Sequence, residues 1–141
     1  MKKHYQNIVI GGTPAAIGLS ALGKEVALIE GLHVGGDCTN VGCVPSKTLI
    51  HLAKNFKEGT NPDEVLRETI RKRDALRNLE TEEVQEIENL TFIEGMAQFT
   101  APKTLEITNS AGETQQITAE NIVISTGARP RRLDIPGLPA E

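Results

Sequence analysis

Three consecutive β-branched residues, Ile8-Val9-Ile10, run straight into Gly11-Gly12-Thr13-Pro14-Ala15-Ala16, and a second apolar run, Val26-Ala27-Leu28-Ile29, ends on Glu30. Few folds accommodate that order. A strand buried on both faces of a parallel sheet reads as an unbroken apolar run rather than an alternating one. A glycine turn leading into a helix aims backbone N–H groups at an anion, and an acid at the end of the second strand suits ribose hydroxyls. The glycine pattern alone is a weak signal, but the strand before it, the strand after it and the acid at the right distance together outline a dinucleotide-binding βαβ start. The core is expected around Ile8, Ile10, Val26, Leu28, Ile122 and Ile124. With aromatic residues at only 3% and no Trp, that core has to be aliphatic.

The second informative stretch is Gly35-Gly36-Asp37-Cys38-Thr39-Asn40-Val41-Gly42-Cys43-Val44-Pro45-Ser46-Lys47, which holds both cysteines of the chain. In a regular helix, residues five apart have Cα atoms about 8.5 Å from each other. A disulfide tolerates at most about 7 Å. Pairing therefore needs an irregular backbone, which Gly42 at positive φ can supply, followed by a helix starting near Pro45. The dipole of that helix and the Lys47 ammonium both favour a thiolate at Cys43. The stretch reads as a redox dithiol. Small buried hydrophobes are the bland alternative. Zinc is disfavoured because His4, His33 and His51 are not spaced as a second ligand pair. A secreted disulfide scaffold is disfavoured by the scarcity of cysteine and the lack of an apolar signal segment before residue 8.

Together these motifs resemble the flavin-dependent pyridine nucleotide-disulfide oxidoreductases, the family of dihydrolipoamide dehydrogenase, glutathione reductase and mercuric reductase. Three further segments share the likeness: residues 91 to 99, resembling the strand where a residue near Ala97 approaches the adenine; residues 122 to 130, resembling the second flavin-contacting strand and turn; and Ile135-Pro136-Gly137, where the family leaves its flavin domain.

The resemblance implies an α/β, Rossmann-like FAD-binding three-layer domain with a parallel sheet, a helical hairpin carrying the dithiol and a small β-meander. By the same resemblance, Cys38 is the outer thiol that exchanges with substrate, Cys43 the inner thiol against the flavin, and Lys47 lies near the flavin's reactive nitrogen. The FAD contacts it implies are Gly11, Gly12, Thr13, Pro14, Ala15, Glu30, Gly35, Gly36, Asp37, Cys38, Cys43, Lys47, Ala97, Thr126 and Gly127. In the implied reaction NAD(P)H reduces FAD, and electrons pass through the Cys38–Cys43 disulfide to a disulfide or metal-ion acceptor, or run in reverse from dihydrolipoamide.

Two departures bear on these expectations. Thr13 stands where the family has its second glycine, and a Cβ there is expected to crowd the pyrophosphate. The helix from Pro14 to about Leu22 is roughly one turn shorter than the family norm, a loss of about four residues that rotates the chain beyond it by only about 40°.

Residues 1–141 read as a single FAD-binding domain, with 129–141 as an exit linker to an absent nicotinamide-nucleotide domain. The domain is incomplete relative to the family, whose dimerisation domain supplies an acid–base histidine and glutamate. The chain alone is therefore expected not to turn over, and to self-associate where the absent parts would dock, the full-length family being homodimeric. Two rival readings are a flavin-free binding or structural module of the same fold and a small flavin-free dithiol redox protein.

A net charge of −4 gives no reason to expect nucleic acid or an acidic membrane as partner. No apolar run approaches a membrane span, so a reducing, cytoplasmic location is expected. No metal site is expected. Asn61-Pro62-Asp63-Glu64 is a helix start with a cap, a proline at the first position and acids in the first turn. That helix is expected to run to about Leu79 and resume over 82–88, with Val65, Leu66, Ile70, Leu76, Leu79, Val84 and Ile87 as its apolar stripe. Thr104 to Thr108 and Gln115 to Thr118 read as a hairpin, from which residues 119 to 121 connect to a separate strand. Arg129, Arg131 and Arg132 read as solvated.

Overall fold

The computed structural model describes residues 3–57, 61–129 and 137. Arg131, Arg132, Ile135, Pro136 and most of the expected exit segment 129–141 lie outside the described residues.

The chain runs β1 (His4–Gly11), α1 (Thr13–Ala21), β2 (Val26–Glu30), α2 (Gly36–Asn40), α3 (Cys43–Lys54), α4 (Pro62–Glu86), β3 (Leu90–Glu94), β4 (Met96–Ala101), β5 (Thr104–Thr108) and β6 (Thr114–Ser125). All six strands form one sheet in the order β3-β2-β1-β6-β5-β4. The first four are mutually parallel, and β5 and β4 continue the sheet antiparallel as a meander. Four parallel strands need crossovers that cover the sheet's faces, which is why β1 and β2 are apolar along both faces.

Alternation splits that apolar content between two cores. Ile8 stands opposite Ala27 and Val9 opposite Leu28. Ile8, Ala27 and Ile29 point to one face, where they pack with Tyr5, Ile93 and the meander residues Leu105, Ile107 and Ile117. Val9, Val26 and Leu28 point to the other, against Ala16 of α1 and Val84 of α4. Helices thus cover one face of the central strands, and residues of the meander pack against the other.

Ile8, Val26 and Leu28 are fully buried, but Ile10 and Ile122 are half-buried and Ile124 is 63% exposed, contrary to expectation. The reason lies in β6, which is one unbroken strand and not two. Its residues 114–118 pair with β5 and its residues 118–125 pair with β1. Beyond Ala119, whose N–H donates to the Lys103 carbonyl at 3.1 Å, no strand pairs with its outer edge among the described residues, and α1 packs over β1, β2 and β3 instead. Burial therefore fades toward its C-terminus.

α4 is likewise one helix of 25 residues with no break near Leu79. Within the expected gap, Thr81 donates its hydroxyl to the Arg77 carbonyl at 2.8 Å and so sits in the helix without leaving a polar group unmet. The start is as expected: the Asn61 side chain accepts from the Asp63 N–H at 2.9 Å, with Pro62 behind it. The apolar stripe is only partly used. Val84 is buried and Ile87 packs beside it, whereas Leu66, Ile70 and Leu79 are about half exposed.

Candidate active site: the dithiol turn and the cavity beside it

Gly11 and Gly12 follow β1 with φ of +67° and +60°, the left-handed region where a side chain is strained. Space is missing as well, since a Cβ on Gly11 would stand 2.5 Å from the Ser125 carbonyl oxygen. The turn therefore presses directly on the end of β6, and the strand ends together floor a cavity of about 390 Å³. It opens at the C-terminal ends of the parallel strands, where α/β sheets hold their ligands. Its wall continues through Glu30 and the loop Gly31–His33, then Gly36, Asp37, Asn40 and Val41 around α2, then Gly95–Ala97, and returns through Ser125, Thr126 and Gly127.

Of the expected cofactor residues, Gly11, Gly12, Glu30, Gly36, Asp37, Ala97, Thr126 and Gly127 are brought together around this one cavity. They come from five separate segments of the chain. Glu30 lies at its edge, where one carboxylate oxygen accepts the Leu32 N–H at 2.9 Å. Asp37 reaches across toward Gly127, its Oδ2 lying 3.8 Å from where a Cβ on that glycine would be.

Thr13, Pro14, Ala15, Gly35, Cys38, Cys43 and Lys47 do not line the cavity. Thr13 is buried, and its hydroxyl oxygen faces the N–H of Gly35 at 3.4 Å. The expectation that its Cβ crowds a pyrophosphate does not fit this orientation. The side chain ties the first helix to the loop that carries the cysteines. Pro14 is exposed, and Ala15 packs against the second core while its N–H donates to the Gly12 carbonyl at 2.9 Å.

Cys38, on α2, and Cys43, opening α3, are both exposed free thiols, neighbours in sequence of the lining residues Asp37, Asn40 and Val41. α3 begins at Cys43, slightly ahead of the expected Pro45. The tightness of the turn comes from Gly42, though not by positive φ. Its φ is −114°, and a Cβ there would stand 2.8 Å from the Asp37 carbonyl oxygen, so close approach excludes a side chain.

The two thiols lie close enough to affect each other's ionisation. The Cys38 thiol is pushed above its ordinary range, first by its hydrogen bond with the Cys43 side chain, then by partial desolvation and by the charge of Cys43. The Cys43 backbone N–H and the Lys47 ammonium pull it the other way. The helix start and the lysine, expected to act on Cys43, are thus felt at Cys38.

Several lining residues escape sequence reasoning: Leu32, His33, Asn40, Met96 and Ser125. Asn40 had a readable signal, being a polar residue enclosed between two cysteines of a glycine-rich turn. Leu32 and His33 lie just past β2, Met96 opens β4 and Ser125 closes β6, so position at the strand ends is their only mark. Among the described residues no three His, Cys, Asp or Glu side chains are grouped to hold a metal ion, and no helix is long and apolar enough to cross a membrane.

Comparison with known proteins agrees with this geometry. Residues 6–141 match the family model described as pyridine nucleotide-disulphide oxidoreductase. Dihydrolipoyl dehydrogenase of Zymomonas mobilis is 33% identical, covering 94% of this chain and 32% of that protein. Mercuric reductase of Bacillus cereus is 37% identical over 95% of this chain and 23% of its own length. The solved structure of the Cu(II) complex of the HOCl-induced flavoprotein disulfide reductase RclA from Escherichia coli superposes with a TM-score of 0.83 at 34% identity, covering 97% of this chain and 31% of that one. The chain spans between 23% and 32% of the length of these relatives. With strands, glycine turn, acid and paired cysteines all falling within the matched residues, the chain belongs to the pyridine nucleotide-disulphide oxidoreductase family.

Proposed function

We propose that this chain is the flavin- and dithiol-bearing portion of a disulfide reductase, exchanging electrons between a nicotinamide nucleotide and the Cys38–Cys43 pair. The observation that carries the reading is the placement of two exposed free thiols on one turn whose Asp37, Asn40 and Val41 line the cavity.

The residues present fit FAD. The side-chain-free turn at Gly11 and Gly12 lines the cavity with backbone, which suits a pyrophosphate, and Glu30 at the cavity edge suits ribose hydroxyls. Gly12, Gly36, Asp37, Thr126 and Gly127 would line its path, and Ala97 would face the adenine. Bound there, FAD supplies a two-electron carrier between nicotinamide and dithiol.

The chain's own chemistry is thiol exchange. When the dithiol reduces an acceptor disulfide, Cys38 attacks it to form a mixed disulfide and expels one thiolate; Cys43 then attacks the Cys38 sulfur, expels the second thiolate and closes the Cys38–Cys43 disulfide, the acceptor having taken two electrons. In the opposite direction an external dithiol opens the Cys38–Cys43 disulfide by the same two exchanges and is itself oxidised. Lys47 favours the thiolate needed at Cys38. The acceptor classes are disulfides, lipoamide run in the opposite direction, and metal ions. The last draws support from similarity to mercuric reductase and to a Cu(II) complex. NAD(P)H binding and homodimer formation would belong to the length of the relatives not matched here, and a cytoplasmic setting suits a dithiol that must be re-reduced.

The test is the visible absorption spectrum after incubation with excess FAD and desalting. Retained flavin, with a long-wavelength band on partial reduction that disappears in Cys43→Ser, is the expected result. A colourless protein would replace this reading with a flavin-free module.

A further inference from the structure

Cys38 rides on α2, a helix of five residues whose N-cap, Gly35, offers no side-chain bond. A helix that short does not hold itself together. Its outer residues, Asp37 and Cys38, are exposed, and its inner ones, Thr39 and Asn40, are buried. Those inner residues meet α4. The Thr39 hydroxyl donates to Glu80 Oε1 at 3.0 Å, and Arg77 Nε donates to Asn40 Oδ1 at 2.6 Å. The Asn40 amide also donates to the Val34 and Gly36 carbonyls, at 2.9 and 2.8 Å, closing the loop on itself.

Arg77 and Glu80 stand one turn apart, so both reach α2 from one face of α4. Arg77 is itself steadied by Asp74, 3.4 Å away. The second Glu80 oxygen is buried without a hydrogen-bond partner and lies against Gly35, in the space a side chain there would need. Apolar contacts would anchor a short helix as firmly as these, since buried polar pairs seldom add net stability. Hydrogen bonds add direction. They fix the rotation of α2 about its axis, and with it the place of the Cys38 sulfur.

We propose that Arg77 and Glu80 are positioning residues for the dithiol: by holding Asn40 and Thr39 they seat Cys38 against Cys43 and so raise the stability of the disulfide the pair can form. This rests on the dithiol reading above. In the closing step Cys38 and Cys43 each lose a proton, their sulfurs bond, and glutathione disulfide takes the two electrons to become two molecules of glutathione. A loosened α2 lowers the effective concentration of one thiol at the other and weakens closure.

The experiment equilibrates the full chain in glutathione buffers of graded ratio, traps free thiols by alkylation and reads the oxidised fraction by mass spectrometry. Glu80→Leu and Arg77→Met should each lower the closure constant roughly tenfold, a shift of about 30 mV for a two-electron couple. Glu80→Gln, which keeps an acceptor for the Thr39 hydroxyl, should restore closure to near the parent value. A folded Glu80→Leu protein with an unchanged closure constant overturns the proposal, even if its melting temperature falls. Should that variant not fold, Thr39→Val, which removes the donor and keeps the shape, is judged by the same measure. A parent chain that never closes the disulfide overturns the dithiol reading itself, whereas a parent that closes alongside variants that match it overturns only the role of Arg77 and Glu80.

Discussion

Behind the glycine turn, Ile8, Val9, Val26, Ala27 and Leu28 are all fully buried, whereas α3 buries none of its residues and both cysteines are exposed. The cavity's floor is thus held by the sheet's two apolar cores, and its reactive border by hydrogen bonds to α4. A nucleotide cradle has to hold backbone N–H groups in place, which close packing achieves. A thiol that exchanges with an external partner has to be reached from solvent, so it cannot be buried to be fixed. Directional bonds beneath it are the remaining way to place it.

The widest gap between the two regions should appear in Leu28→Ala. It removes a fully buried side chain shared by the second core, and urea unfolding should show a loss of about 2–5 kcal/mol. Gly11→Ala strikes the cradle through its backbone. Positive φ and the close Ser125 carbonyl should cost about 1–3 kcal/mol, measured as a lower urea midpoint, and FAD retention should fall with it. Equal stability in either variant and the parent would erase the contrast.

On the dithiol side, Cys43→Ala should leave stability within about 0.5 kcal/mol, as surface changes usually do. It should instead alter chemistry. The hydrogen bond with Cys43 is the foremost cause holding the Cys38 thiol above its ordinary range, so its removal should move the pH midpoint of Cys38 alkylation downward. Lys47 remains and pulls the same way. An upward shift, read by iodoacetamide rates against pH, would contradict the arrangement. The smallest effect is expected at the seam. Thr13→Gly removes a side chain that faces Gly35 and does not line the cavity, so FAD affinity by titration should stay unchanged while about 1 kcal/mol of stability is lost. A clear gain in affinity would restore Thr13 as an obstacle.

Much of this architecture was legible from local pattern. Unbroken apolar runs announced β1 and β2, and Asn61-Pro62-Asp63-Glu64 announced the start of α4, because burial on two faces and the capping of free N–H groups leave marks within a few residues. Eight of the expected cofactor residues gather at one cavity because the glycine turn and the strand ends occur in an order that a parallel sheet brings together. Ile124 was misplaced because its apolar character says nothing about whether a neighbouring strand or helix lies beside it. The break expected in α4 does not occur: Thr81, in the expected gap, bonds to the Arg77 carbonyl within the helix.

Local sequence accounts for the set of elements, the glycine turn, the acid at the end of β2 and the adjacency of two cysteines, all properties of backbone sterics and short-range periodicity. The assembled fold settled the rest. It turned Thr13 away from the cavity, joined the two halves of β6, and brought Arg77 and Glu80 to Asn40 and Thr39 across 37 and 41 residues of chain. Such meetings depend on how helices cross a finished sheet, and no local pattern encodes the partner of a polar side chain that far away.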